Sequence, residues 1–287
     1  MPRQMPLVSV IIPTHNVSKI ILRCLLSIQR QSYKKIETLI IDDSSTDGTK
    51  DAVRRYAKYI RFIDPQEEKQ RKLGIPFKRS DKRSRQRNHG AEIAHGSLLL
   101  FIDSDMVLPS DLIEKSVSAI KDNDGLLIYD KGIGMTFWSK CHSFEKEIHE
   151  GDSEVTSPRL IKRSAFMAVK GIDESLVLNE DLDLHDRLIK SGYKIGVMNE
   201  PKIYHYESDT LRDVVKKYFH YGGSFKKYAS KNPGKSAKLY ILYHPYLYLK
   251  NWRKLLRSPL HGFGSILRKV IEYSAAGAGF LASLTRK

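Results

Sequence analysis

The chain has 287 residues, with 49 lysines and arginines against 33 acidic residues and a formal net charge of +16. That length suits one large domain or a domain with an appendage, and no run approaches the roughly twenty apolar residues of a membrane-spanning helix. The surplus of cations points to anionic company, whether nucleic acid, phosphorylated substrate or an acidic membrane surface. Cys24 and Cys141 have no spacing that suggests a zinc site or a disulfide framework, which fits a reducing cytosol. A first strand beginning at Leu7 leaves no room for a signal peptide.

Leu7 to Ile12 is β-branched and apolar until Pro13-Thr14-His15-Asn16 breaks it, the pattern of a strand ending in a polar loop. Ile20, Ile21, Cys24, Leu25 and Ile28 then recur at helical spacing. Ile36 to Ile41 reads as a second strand, ending in Asp42-Asp43-Ser44-Ser45-Thr46-Asp47-Gly48-Thr49 and feeding a helix over 52–59. Strands alternating with helices through short loops give right-handed βαβ units and a parallel sheet. Asp42 and Asp43 either cap the following helix or face a nucleotide base or ribose.

After a short strand over 60–63, the run through Lys69, Arg71, Lys72, Lys78, Arg79, Lys82, Arg83, Arg85 and Arg87 reads as a solvated basic loop. No aromatic interleaving or nucleic-acid module accompanies it, so nucleic acid is not expected as a partner; cations beside a diphosphate are the simpler use. Arg87-Asn88-His89-Gly90 opens a helix over 91–94. Leu98 to Leu108 follows, a continuous apolar run that stops at Asp103-Ser104-Asp105 and suits a parallel strand covered on both faces. Such an Asp-x-Asp also arises in turns and helix caps. Here the preceding strand, and Pro109-Ser110-Asp111 opening an amphipathic helix, put the pair in the crevice at the carboxyl end of a sheet. A hard cation, Mg2+ or Mn2+, bridging phosphate oxygens is the natural occupant.

Leu112 to Ile120 is amphipathic and Leu126 to Tyr129 extended, whereas Gly132 to Ser157 lacks a readable period. Order returns over Leu160 to Val169, and Asn179-Glu180-Asp181-Leu182-Asp183-Leu184 runs into a helix that Gly192 closes. Acids at that helix start complement the macrodipole or, facing a cleft, supply a general base. Tyr193 to Met198 reads as a strand punctuated by Pro201, and His205 as a packing histidine or a metal ligand. Past Gly222-Gly223 come Tyr240, Tyr243, Tyr246 and Tyr248, then Trp252, Arg253, Lys254 and Arg257, with Glu272 the only acid from Lys250 to Lys287. This is the composition of interfacial helices on anionic lipid, or of a helical pair packed on the preceding domain.

Taken together, these motifs resemble the inverting, family 2 glycosyltransferases of GT-A fold, which use sugar nucleotides. Val10 to Asn16 is similar to the family's opening strand and nucleotide loop, and Ile41 to Thr49 to its second signature. Arg87-Asn88-His89-Gly90, Phe101-Ile102-Asp103-Ser104-Asp105 and Glu180-Asp181 complete the set in order. The resemblance implies an α/β, GT-A fold: a Rossmann-like, mostly parallel central sheet with flanking helices. A domain over 1–228, with a nucleotide-binding half to residue 105, would precede a helical extension over 229–287.

The resemblance also implies a site. Pro13, Thr14, Asn16, Asp42 or Asp43, Arg87, Asn88, Asp103 and Ser104 would surround a UDP-sugar or GDP-sugar. Mn2+ or Mg2+ would rest on Asp103 and Asp105 with His205 as a late ligand, and Asp181, beside Glu180, would be the general base. The acceptor would be a saccharide or lipid-linked glycan, and the enzyme would be cytoplasmic, peripheral on the inner face of the cell membrane. The competing reading is a catalytically silent binder of sugar nucleotides or polyanions.

Overall fold

The structure, a computed structural model, describes residues 5–56, 60–64, 83–150, 152, 156–231 and 243–285. The basic run over 65–82 lies outside them. Strands β1 (Val8–Thr14), β2 (Ile36–Asp42), β3 (Ile60–Ile63), β4 (Leu98–Phe101), β5 (Met106–Val107), β6 (Gly125–Gly134), β7 (Leu160–Lys162) and β8 (Ile195–Glu207) form one sheet in the order β3-β2-β1-β4-β7-β6-β8-β5. β1 pairs in parallel with both β2 and β4, and β3 extends the parallel half. Beyond β4 the pairing turns antiparallel, to β7 and then β6. The sheet is therefore mixed, with the parallel expectation holding for its first four strands.

Travel through the sheet reverses at β1, with β2 on one side and β4 on the other. The carboxyl ends of β1 and β4 thus flank a topological switch point, the place where open α/β sheets bind ligands. Both faces are covered. All seven residues of β1 are buried, which explains why its sequence is mostly apolar and does not alternate with exposed polar residues. Helix α1 (Ile21–Gln29) packs Ile21, Cys24, Leu25 and Ile28 on one face. On the other, Ala91 of α3 (Arg83–Ile93) joins Phe166 of α6 (Arg163–Ala168) and Leu184 and Leu188 of α7 (Glu180–Lys190). Each fully buried Leu, Ile or Phe contributes about 1.5–3 kcal/mol.

Helix α3 starts earlier than expected, so the Arg87-Asn88-His89-Gly90 motif lies inside it rather than ahead of it. The reason is steric and local. A Cβ at Gly90 would stand 2.5 Å from Ile11 Cγ2, so only glycine lets α3 settle on β1 at that level. Gln86 locks the seating by donating to the carbonyls of Thr14 (2.8 Å) and Ile41 (2.7 Å). Pro201 does not end its strand either, since β8 runs through it to Glu207. The unreadable stretch after Gly132 contains α5 (Phe137–Ile148), whose capping box joins Thr136 and Ser139. Ser139, Ser143 and Glu145 are on its buried side, which hides the apolar period.

The chain divides into two compact units, Met1–Tyr129 with Ser153–Glu174 and Glu180–Tyr204, and Asp130–Asp152 with Ser175–Asn179 and His205–Lys287. The C-terminal helices α9 (His244–Lys250), α10 (Trp252–Arg257) and α11 (Pro259–Thr285) are grouped with α5 and α8 (Leu211–Lys231). Helix α11 packs along α8 and α5. Backbones touch where Gly222 meets Ala276 and Gly279 meets Phe219.

The second unit buries charge. Arg268 and Glu272 have side chains 1% and 0% exposed and pair at 2.7 Å, and Lys269 bridges Glu272 (2.8 Å) and Glu145 (2.6 Å). Burial alone would pull the Lys269 ammonium down, but Glu145, Tyr218 and Glu272 more than reverse it and hold its pKa well above the ordinary value. Breaking a buried pair from one side costs about 3–5 kcal/mol. Arg268→Ala should lower the unfolding free energy in urea by about that amount. Exposed Arg253→Ala should stay within about 0.5 kcal/mol of the parent. Equal effects would remove the buried pair from the account of stability.

Candidate active site

The carboxyl ends of β1, β2 and β4 carry the site, all within the first unit. Thr14 Oγ1 donates to Asp42 Oδ1 at 2.7 Å, and Ser45 donates to the same carboxylate from both its Oγ and its N–H, each at 2.7 Å. Asp42 is thus committed to joining the loops after β1 and β2. Asn16, at φ 53°, accepts from the Thr46 N–H at 2.9 Å, and Asp43 N–H reaches the Thr14 carbonyl at 2.9 Å. Of the two acids that the sequence leaves open, Asp42 builds the loop, and Asp43 stands beside it, also buried. Pro13 lies in β1 opposite Ile41.

At the end of β4, Arg87 Nη2 donates to Asp103 Oδ1 at 2.6 Å, and Arg159 Nη1 stands 3.9 Å from Oδ2. Sequence reasoning missed Arg159, because its place depends on β7 folding back antiparallel to β4. Asp103 and Asp105, with Ser104 between them, put negative charge at one point: burial first, then Asp105 and Asp103, push the enclosed Cys24 thiol far above its ordinary range. Two adjacent carboxylates with hard oxygen donors fit a divalent cation whose remaining ligands come from phosphate and water.

Arg87 also reaches the acidic helix start. Glu180 is largely buried, and desolvation followed by the charge of Asp181 raises its carboxyl pKa, with Arg87 and Arg83 opposing. Arg87 therefore couples the third, fourth and fifth motifs electrostatically. Its Nε is buried and has no hydrogen-bond acceptor among the described residues. Asp181 is exposed; its Oδ1 accepts from the Leu182 N–H at 2.9 Å and its Oδ2 from Ser157 at 3.3 Å. Asp183 points elsewhere, buried on Arg187 at 2.7 Å.

Two expected residues have other employment. Both ends of the Asn88 amide are taken by the Ile172 backbone, at 2.8 and 2.9 Å, so Asn88 pins the Gly171–Glu174 loop. His205 lies in the second unit, where its Nδ1 is 2.6 Å from Lys146 Nζ and 3.3 Å from Asp130 Oδ2. Among the described residues, Glu145, His149 and His244, and likewise His142, Glu145 and Glu272, have metal-ligand spacing. Both groups share Glu145, which Lys269 already neutralises.

A half-parallel sheet with paired acids at its switch point is an α/β arrangement of GT-A architecture. The chain belongs to glycosyl transferase family 2, whose family model matches residues 9–160. It is 28% identical over 200 residues to the succinoglycan biosynthesis protein ExoA of Rhizobium meliloti, covering 64% of this chain and 58% of that one. It is 30% identical over 161 residues to a GalNAc(5)-diNAcBac-PP-undecaprenol beta-1,3-glucosyltransferase of Campylobacter jejuni, covering 53% and 46%. The chain spans roughly two fifths to three fifths of the first curated relatives it matches, for example 44% of a Haemophilus influenzae glycosyltransferase. In fold it is similar to the Pyrobaculum calidifontis mannosyltransferase PcManGT in complex with GDP-Man and Mn2+, at TM-score 0.62 and 16% identity, covering 100% of this chain and 89% of that one.

The raised Glu180 carboxyl makes a signed prediction for metal-free protein. A group whose folded pKa is raised contributes stability below its unfolded pKa and loses it as pH rises through the folded value. Glu180→Gln removes that loss, so the variant should melt above the parent at pH 7 and level with it near pH 4, where the carboxyl is protonated in both states. A melting temperature below the parent at pH 7 would mean that Arg87 and Arg83 outweigh the burial.

Proposed function

We propose that the chain transfers a sugar from a nucleoside diphosphate sugar, UDP- or GDP-linked, to a hydroxyl of a saccharide or lipid-linked acceptor, inverting the anomeric centre. The observation that carries this is the convergence on Arg87: one nitrogen on Asp103, its charge acting on Glu180, and a buried Nε available to an anion. Asp43 and Thr14 lie toward the base and ribose, and Arg87 and Arg159 face the diphosphate. Asp103 and Asp105 would hold Mn2+ or Mg2+, which as a Lewis acid neutralises charge developing on the departing diphosphate. Asp181 takes the proton from the attacking hydroxyl at one of its carboxylate oxygens, helped by its exposure to an incoming acceptor.

The acceptor class draws on the relatives, whose names place them in succinoglycan biosynthesis and in glucosyl transfer to an undecaprenyl-linked glycan. PcManGT, with GDP-Man and Mn2+, supports a nucleotide sugar and a cation. We place the work at the cytoplasmic face of the cell membrane, with anionic lipid as a partner; no helix among the described residues is long and apolar enough to cross a membrane.

Two substitutions test the chemistry. Asp181→Asn keeps the shape and removes the base, so turnover should fall by roughly two to four orders of magnitude with donor affinity nearly unchanged. A variant retaining half its activity removes Asp181 from the mechanism. Asp105→Ala should abolish the gain in UDP or GDP affinity that Mn2+ confers in calorimetry, while exposed Asp122→Ala keeps it; an undiminished gain in Asp105→Ala would place the cation elsewhere.

A further inference from the structure

Helix α11 sorts its two faces in the opposite sense to an ordinary surface helix. Toward its neighbours it buries Gly262, Ser265, Arg268, Glu272, Ala275 and Gly279. On the opposite side, Leu260, Phe263, Leu267, Val270, Leu281 and Leu284 recur at helical spacing and are 52–78% exposed. No exposed residue from Pro259 to Thr285 carries a charge. At 27 residues this face is about 40 Å long. On the preceding helices α9 and α10, Leu249, Trp252 and Leu256 are likewise 73%, 52% and 65% exposed.

The charge beside the strip has one sign. Lys250, Arg253 and Arg257 are exposed at its amino-terminal end, with the Arg253 guanidinium 5.8 Å from the Trp252 ring. The only acid between Tyr243 and Thr285 is Glu272, which is fully buried on Arg268 and Lys269. A second copy laid on this strip would find no exposed acid to meet those cations. An anionic bilayer offers both an apolar layer and a layer of phosphates.

We propose that α9–α11 form a membrane-docking surface that lies flat on an anionic bilayer. Leu260, Phe263, Leu267 and Val270 enter the acyl boundary while Lys250, Arg253 and Arg257 meet lipid phosphates. This rests on the membrane location proposed above and goes beyond it by assigning the surface. It also removes Arg268 and Lys269 from lipid contact, since Glu145 and Glu272 consume them. Docking thus combines a salt-resistant apolar part with a small salt-sensitive one.

The test is co-flotation of the full-length protein with phosphatidylcholine vesicles, with and without phosphatidylglycerol. The parent should float with the anionic vesicles, and Leu260→Glu/Phe263→Glu should not. Arg253→Gln/Arg257→Gln should bind roughly thirtyfold more weakly and lose most of the salt dependence. Both variants should keep the parent's melting temperature and its thermal shift with nucleotide and Mn2+. If the parent ignores anionic vesicles at low salt, or the glutamates leave flotation intact, the proposal is overturned. It is equally overturned if light scattering shows a dimer that Leu260→Glu/Phe263→Glu dissolves, which would give the strip to a second copy. A parent that floats but binds no nucleotide would sink the glycosyl-transfer reading and leave the docking surface standing.

Discussion

Asp103 brings a carboxylate to the rim of an apolar sheet with Asp105 two residues on, and the 2.6 Å contact from Arg87 sets an opposite charge against it. Both side chains are less than one fifth exposed, so the pair is only weakly screened. Much of the first unit follows from holding it. Arg87 reaches Asp103 only because α3 sits hard against β1, α3 sits there only because residue 90 has no Cβ, and Gln86 fixes the same turn to β1 and β2. Shifting α3 outward by the width of a methyl group would lengthen the ion pair and separate Arg87 from Glu180.

In the second unit charge has a different use. Lys269 stands between Glu145 and Glu272, and Arg268 bonds Glu272 and the Trp138 carbonyl, so α11 is tied to α5 by ionic contacts in a buried setting. Such pairs seldom add much net stability, because desolvation cancels most of the Coulomb gain. They do penalise a misregistered helix, since a shift of one residue would leave a charge buried alone. The close backbone contacts at Gly222 and Gly279 add the same demand sterically.

The first four strands and the five motifs were legible because burial on both faces writes continuous apolar runs and polar strand ends punctuate them. The start of α3 was not, because Arg83 to Ile93 is almost wholly polar and is helical through packing at Gly90 and Ala91. Nor was α5, whose buried face includes Ser139, Ser143 and Glu145. Within the site, the chemistry of Asp103 and Asp105 could be read from their position at a strand end. The division of labour between Asp42 and Asp43, the loop-pinning of Asn88 and the arrival of Arg159 depend on which groups the folded chain brings within hydrogen-bond or ion-pair reach, and residue type does not carry that. His205 shows the same limit, since nothing local announces that Lys146 occupies its Nδ1.

The C-terminal region shows why composition is a poor guide to which cations meet a surface. Read as a string, Arg268 and Lys269 count toward a basic tail, and the neighbouring Glu272 merely dilutes it. In three dimensions these three charges and that of Glu145 on α5 cancel inside the unit, so the outward face of α11 is left neutral and apolar. A helix that buries its charges and exposes Leu260, Phe263 and Leu267 gains nothing from water on that side. On the inner face Arg268, Lys269 and Glu272 each have an oppositely charged partner on α5 or on α11 itself. The neutrality of the outer face is thus a consequence of the inner one: had Glu272 been apolar, Lys269 would keep Glu145, but Arg268 would lose its 2.7 Å carboxylate partner and be left buried on the Trp138 carbonyl.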